Sequence, residues 1–315
     1  MNGKGNRQIG RRRVLQGLAA LPFAGIARAS TGDTPLEMRE IAPGVFVHQA
    51  PYEEATPANR GDIANLGFIV GDQAAAVIDS GGSLREGKAL LAAVRRVTDR
   101  PVAYVINTHF HPDHIFGNAA FPVARIVGHQ RMAAALKDRG AYYRQTLDRD
   151  LGEVAAGSAV VPPDLAVTDS LGLDLGNRRL LLQAWPPAHT DCDMTVRDER
   201  TDSWFLGDLL FCRRMPTIDG SLRGWIARLE QLRAIPAARA VPGHGPATVA
   251  WPDATDPLLR YLTGLSDEVR TALKNGVSLA EATGTVGRDL KADWILFETV
   301  HPRNVAVAFA ELEWE

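Results

Sequence analysis

Short apolar runs rich in β-branched residues alternate with helical spacing through the first half of the chain. Val45-Phe46-Val47, Leu66-Gly67-Phe68-Ile69-Val70 and Ala75-Ala76-Val77-Ile78 predict strands, the last ending at the turn Asp79-Ser80-Gly81-Gly82. Leu90, Ala93, Val94 and Val97 then share one face of a helix. Val102-Ala103-Tyr104-Val105-Ile106 predicts a buried strand that runs directly into Thr108-His109. The residues from Thr108 onward therefore start at the carboxyl end of a strand, where open α/β sheets gather their ligands.

The pattern loosens from about 130 to 175. Ala133–Leu136 read as helix, Pro162-Pro163 break structure, and the segment is expected to turn loop-rich and to cover the mouth of a site. Strands return at Leu180–Leu182, Met194–Val196 and Trp204–Leu206. A helix over about 221–234 precedes a strand at Ala238–Val241. From about 255 the chain is largely helical, and Val305, Ala306, Phe309 and Leu312 give the last helix an apolar face. No repeat, low-complexity tract or linker interrupts it, so a single catalytic domain over 30–315 with a helical tail is the simplest division.

Composition changes this picture only at the start of the chain. Apolar residues at 45% and charged residues at 23% are ordinary for a soluble enzyme. No apolar run approaches the roughly 20 residues that a membrane-spanning helix needs. Residues 1–29, however, carry Lys4, Arg7, Arg11, Arg12, Arg13 and Arg28 with no acid. An apolar stretch from Val14 to Ala24 comes next, and Ala27-Arg28-Ala29 has the small-x-small form of a cleavage site. Gly10-Arg11-Arg12-Arg13-Val14-Leu15 is similar to the twin-arginine pattern of bacterial export signals. An exported, periplasmic protein beginning near Ser30 is the expectation. Its 29 basic and 37 acidic residues leave no basic stripe for a nucleic acid. Cys192 and Cys212 are too few for a cystine framework.

Five of the eight histidines fall in short motifs together with two aspartates. The densest is His109-Phe110-His111-Pro112-Asp113-His114; the others are His189 in Ala188-His189-Thr190, Asp208 in Leu206-Gly207-Asp208, and His244 in Pro242-Gly243-His244-Gly245. Imidazole nitrogen and carboxylate oxygen suit Zn²⁺. Three histidines and a carboxylate within six residues crowd like groups together unless a cation organises them. A tight turn after the strand directs His109 and His111 one way and Asp113 and His114 another, which provides for two neighbouring sites.

With those motifs in that order, the chain resembles the metallo-β-lactamase superfamily from about Ile41 to the Pro242–Gly245 turn. The resemblance implies an α/β fold of αββα sandwich type, two facing mixed sheets with helices outside and two Zn²⁺ per chain at one edge. His109, His111 and His189 would hold the first metal, Asp113, His114 and His244 the second, and Asp208 would bridge them. An aspartate at that bridge is similar to glyoxalase II; class B1 β-lactamases have a cysteine there, and Cys212 is four residues out of register. Gly61–Gly71, Asn107–Asn118 and the ending from His301-Pro302-Arg303-Asn304 to Glu315 resemble the SoxH-like, quinoprotein-relay zinc metallohydrolases. That narrower likeness implies a link to a periplasmic quinoprotein dehydrogenase pathway; it does not supply the substrate, which is expected to be a small molecule.

A hydroxide bridging two Zn²⁺ ions attacks carbonyls at neutral pH, because zinc lowers the pKa of bound water to about 7. The expected activity is hydrolysis of an ester, thioester, lactone or amide, with Asp113 both ligand and catalytic group. Three other readings stay open: an iron-dependent oxidoreductase resembling persulfide dioxygenases, a β-lactamase-like amide hydrolase, and a non-catalytic partner of a periplasmic dehydrogenase. Asp79 reads equally as an acceptor for a ligand histidine and as a turn former. Cys192 and Trp185 read as packing residues, and His129 as a cap or packing residue opening a helix. His301 reads mainly as packing, with a place in the pocket wall as the lesser alternative; His48 stands outside the ligand motifs.

Overall fold

A computed structural model of the chain describes residues 1–3 and 34–315. The leader expected over 1–29 falls almost wholly outside the described residues. Twelve strands among the described residues form two sheets. The first holds β1 (Arg39–Ala42), β2 (Val45–His48), β3 (Leu66–Val70), β4 (Ala75–Ile78), β5 (Val102–Ile106), β6 (Arg125–His129) and β7 (Leu165–Val167), in that spatial order. Its pairs are antiparallel up to β3–β4 and parallel from β4–β5 onward. The second runs β12-β11-β10-β9-β8, from β8 (Ser170–Asp174), β9 (Arg179–Ala184), β10 (Met194–Asp198), β11 (Ser203–Phe211) and β12 (Arg239–His244). Only β11–β12 is parallel there.

Strand residues alternate between two faces, and both faces of each sheet are covered. From the first sheet Val47, Ile69, Ala76, Ile78 and Ile106 point inward, against Leu180, Leu182, Met194, Val196 and Phe205 of the second. Their neighbours Phe68, Ala75, Val77 and Val105 point outward onto helix α1 (Leu84–Val97), through Ala89, Leu90, Ala93 and Val94. That helix starts at Ser83, whose Oγ accepts from Glu86 N at 3.1 Å, a side-chain cap that stabilises by roughly 1 kcal/mol. Val97, expected on its apolar face, is 43% exposed because the helix ends there.

The outer face of the second sheet is covered by α4 (Leu222–Arg233), α5 (Asp256–Lys274) and α7 (Phe297–Leu312), with α6 (Leu279–Thr285) beside α7. Trp204, Leu206 and Leu210 meet Leu229, Leu262, Leu265 and Val305 there. The layers are helix, sheet, sheet, helix, as expected. Two expectations need correction. Residues 165–174 are not loop but edge strands β7 and β8, whose polar outward positions hide their pattern. His129 does not open a helix: it ends β6, and α3 (Met132–Leu151) begins three residues later.

Candidate metal centre

The turn after β5, the β9–β10 turn, the second half of β11 and the end of β12 supply all seven motif residues, and the end of β4 adds Asp79. Past β5, the chain turns through His109 to His111 and makes one helical turn, α2 (Pro112–Ile115), which carries Asp113 and His114. Asn107 and Ser80 hold that turn in place. Asn107 Nδ2 donates to His114 O and Asn118 Oδ1, both at 3.1 Å, while Ser80 Oγ donates to Asn118 Oδ1 at 2.7 Å.

The side chains converge as two groups. One ligand atom from each of His109, His111, His189 and Asp208 lies within 4.8 Å of the others; Asp113, His114 and His244 do the same. Asp208 stands between the groups. Its Oδ2 is 3.3 Å from His189 Nε2 and 3.2 Å from His244 Nε2, and its Oδ1 is 3.3 Å from His114 Nε2. Asp113 Oδ2 lies 3.4 Å from His244 Nε2 and 3.7 Å from His114 Nε2.

The inward atoms fit cations better than they fit each other. His109 Nε2, His114 Nε2 and Asp208 Oδ1 are buried without a hydrogen-bond partner, a state that normally costs about 1–3 kcal/mol each. Room for Asp208 is made by Gly243, where a Cβ would overlap Asp208 Oδ1. The outward ring atoms, by contrast, are all engaged. His114 Nδ1 donates to Asp79 Oδ2 at 2.8 Å, His189 Nδ1 to Thr217 O at 2.7 Å and His244 Nδ1 to Ile63 O at 2.7 Å. His109 Nδ1 pairs with Thr108 Oγ1 at 3.1 Å, and His111 Nε2 with Asp219 Oδ2 at 3.0 Å. Outer partners of this kind fix the tautomer that leaves the inner nitrogen free for a metal. Zinc is the typical ion for such histidine and carboxylate donors.

Electrostatics agrees with that reading. Burial drives His109 well below the ordinary histidine range, with His114 adding to the shift, and drives His189 down to about 3. Burial also disfavours charge on His114, but the Asp208, Asp79 and Asp113 carboxylates outweigh it and raise its pKa. Asp208 is held low against its burial by His244, His114 and His109.

A cavity of about 710 Å³ opens over the centre. Asp113, His111 and His244 lie on its floor, and α3 supplies Arg139, Tyr142 and Tyr143 to its wall. The first part of 130–175 thus covers the mouth. Arg214, Asp219 and Arg303 complete the rim. Asp219 was missed in the sequence because a lone aspartate before a helix carries no motif. Asp79 is an acceptor for His114. Cys192 is buried beside Phe110, unpaired with Cys212, and burial raises its thiol pKa. His129 Nδ1 accepts from Arg131 N, and Trp185 Nε1 donates to Thr195. His48 pairs with Asp62. His301 lies in the core against Phe297, not in the cavity wall.

The family model of the metallo-beta-lactamase superfamily matches residues 59–244. This chain belongs to that superfamily. Among curated relatives it is 24% identical over 211 residues to a linear primary-alkylsulfatase of Pseudomonas sp. (strain ATCC 19151), covering 54% of this chain and 39% of that protein. It is 28% identical over 144 residues to a hydroxyacylglutathione hydrolase of Synechococcus sp. (strain JA-2-3B'a(2-13)), covering 44% of this chain and 46% of that one. The chain therefore spans less than half the length of either. Solved structures of the same fold include the sec-alkylsulfatase Pisa1 from Pseudomonas sp., with TM-score 0.67 and 14% identity over 88% of this chain and 50% of that one. A metallo-beta-lactamase from Pontibacter korlensis has TM-score 0.58 and 20% identity, covering 72% of this chain and 99% of that one. Among the described residues, no helix is long and apolar enough to cross a membrane.

Proposed function

We propose that this chain is a zinc-dependent hydrolase with a dinuclear centre, cleaving an ester, thioester, lactone or amide bond of a small molecule. One observation carries the reading: two groups of histidine and aspartate atoms share Asp208 on the floor of an open cavity, and three of their inward atoms, His109 Nε2, His114 Nε2 and Asp208 Oδ1, are buried without a partner. His109, His111 and His189 would hold one ion, Asp113, His114 and His244 the other, and Asp208 both. Zinc bound there supplies Lewis acidity and brings the pKa of water to about 7. The rest falls to the side chains. Asp113 is held below the ordinary carboxylate range, because His114 and His244 outweigh its burial, so it stays anionic and accepts a proton at the cavity floor. Tyr143, pushed up to about 12 chiefly by burial, keeps its proton and offers a hydrogen bond to substrate. Phe211 and Ile63 give the cavity an apolar part of its lining.

A sulfate ester is the second reading. Arg214 lines the cavity with no carboxylate partner among the described residues, and the alkylsulfatase relative acts on such esters by its name. We also assign the protein to the periplasm, in association with oxidation by quinoprotein dehydrogenases. The twin-arginine-like leader and the C-terminal wording support that assignment. Changing Arg12 and Arg13 to lysine should then hold the protein in the cytoplasm.

The test is a hydrolysis screen of metal-loaded protein against thioesters, lactones, β-lactams and alkyl sulfates, with metal analysis alongside. Two zincs per chain and turnover of one ester class are expected. About one iron per chain with oxygen uptake and no hydrolysis overturns the proposal in favour of an oxidoreductase.

A further inference from the structure

The family match ends at His244, yet the helical tail beyond it reaches back to the centre. The segment between β11 and α4 makes the contact. Its Thr217 O accepts from His189 Nδ1 at 2.7 Å, and its Asp219 Oδ2 accepts from His111 Nε2 at 3.0 Å. Two histidines of one metal group are thus oriented by this single loop.

Helix α7 in turn fixes the loop. Asn304, fully buried, accepts from Ile218 N at 3.0 Å and donates to Pro216 O at 2.7 Å. It therefore grips the residues on either side of Thr217 with one acceptor and one donor, a pairing that Leu lacks entirely. Tyr261 OH meets Asn304 Nδ2 at 3.1 Å and His301 Nδ1 at 3.0 Å, which sets the orientation of the amide. At the loop's end, Glu311 accepts from Ser221 Oγ at 2.7 Å and Leu222 N at 2.6 Å. Asp219 is also bound by Arg139 of α3 at 2.6 Å and approached by Arg303 of α7 at 3.4 Å.

The other group is oriented from elsewhere. His114 leans on Asp79 and His244 on the Ile63 carbonyl, both far from the tail in sequence. We propose that Asp219 and Asn304 are positioning residues for one metal position alone, that of His109, His111 and His189, and that α7 serves as its clamp. This inference rests on the dinuclear hydrolase reading.

The experiment is a zinc titration of the full chain, stripped of metal, against a competing chromophoric chelator. Wild type should show two tight sites. Asp219→Ala, and separately Asn304→Leu, should weaken one of them by about 10–100-fold and leave the other. Asp113→Asn, which changes a side chain of the other group alone, should also weaken one. The double variant Asp219→Ala/Asp113→Asn decides whether these are different sites: both should then be weak. A double variant that keeps one tight site overturns the proposal, as do two unchanged sites in Asp219→Ala. Asp219 lines the cavity instead of the core, so its variant keeps the test open if Asn304→Leu misfolds. Wild-type protein that takes up no divalent metal overturns the hydrolase reading as well, which is a separate result from two tight but insensitive sites.

Discussion

His114 Nδ1 donates to Asp79 Oδ2 across 2.8 Å, and neither side chain is more than 2% exposed. The same carboxylate accepts from Thr108 N and Thr108 Oγ1, each at 2.8 Å. Asp79 thus ties the start of the histidine motif to its end. Its backbone φ of 56° lies in the left-handed region, which Asn and Asp enter more readily than other side chains.

Asp79→Asn exploits that geometry. Asparagine tolerates the backbone, so the fold should survive. Its amide has one oxygen for three donors, and its NH₂ must face one of them. Zinc affinity should fall by about 10–100-fold while the far-ultraviolet dichroism stays unchanged. Wild-type affinity in a chelator competition would show that Asp79 only shapes its turn.

Gly243→Ala tests the space around Asp208. The added methyl would overlap Asp208 Oδ1 and stand 2.7 Å from the Gly207 carbonyl carbon, so something must move. Overpacking of this kind costs about 1–3 kcal/mol, and here the displaced group is the shared carboxylate. Purified variant should contain less metal than wild type and lose most of its hydrolysis. Full metal content with normal turnover would mean that Asp208 does not need its present place.

Acid sensitivity should differ between metal-free and metal-loaded protein. His189 falls from the ordinary histidine range to about 3 in the folded state, and His109 is also depressed, both chiefly by burial. A depressed folded pKa contributes stability above the unfolded value of about 6.5 and loses it as pH falls toward the folded value. His114, raised by its carboxylates, acts in the opposite sense and loses its contribution as pH rises through its own pKa. Over the acid range the depressed histidines, His129 and His301 beside His109 and His189, outnumber the two acids that burial raises, Glu86 and Asp193. Urea unfolding of the stripped protein should therefore show stability declining between about pH 6.5 and 4, with bound zinc opposing the decline until the ligands protonate. A flat profile over that range would contradict the burial of neutral rings.

How legible a residue is in the sequence depends on how many neighbours it needs to declare itself. Strands β3, β4 and β5 are covered on both faces, so their unbroken apolar runs stand out; β7 and β8 sit at sheet edges with mixed burial and read as loop. The six residues from His109 to His114 announce a cation by density alone. His189, Asp208 and His244 are legible because each sits in a strand-end or Gly/Pro motif of recurrent form. Asp219 and Asn304 are not, because each acts through partners more than 80 residues away, Asp219 on His111 and Asn304 on Ile218. Only the folded chain brings such pairs together.

Asp113→Asn separates holding a metal from moving a proton. Asp113 lines the cavity floor, and its Oδ2 faces His244 and His114 at 3.4 and 3.7 Å. Asparagine keeps its shape but carries no charge and accepts no proton near neutral pH. The lost carboxylate weakens the second metal position, so the assay belongs in saturating zinc. Under that condition, with metal content verified, kcat should fall by about 10²–10⁴-fold, the range of a general acid–base group, while KM changes little. If the zinc-saturated variant instead turns over within a few-fold of wild type, Asp113 serves as a ligand alone and the proton passes through another group.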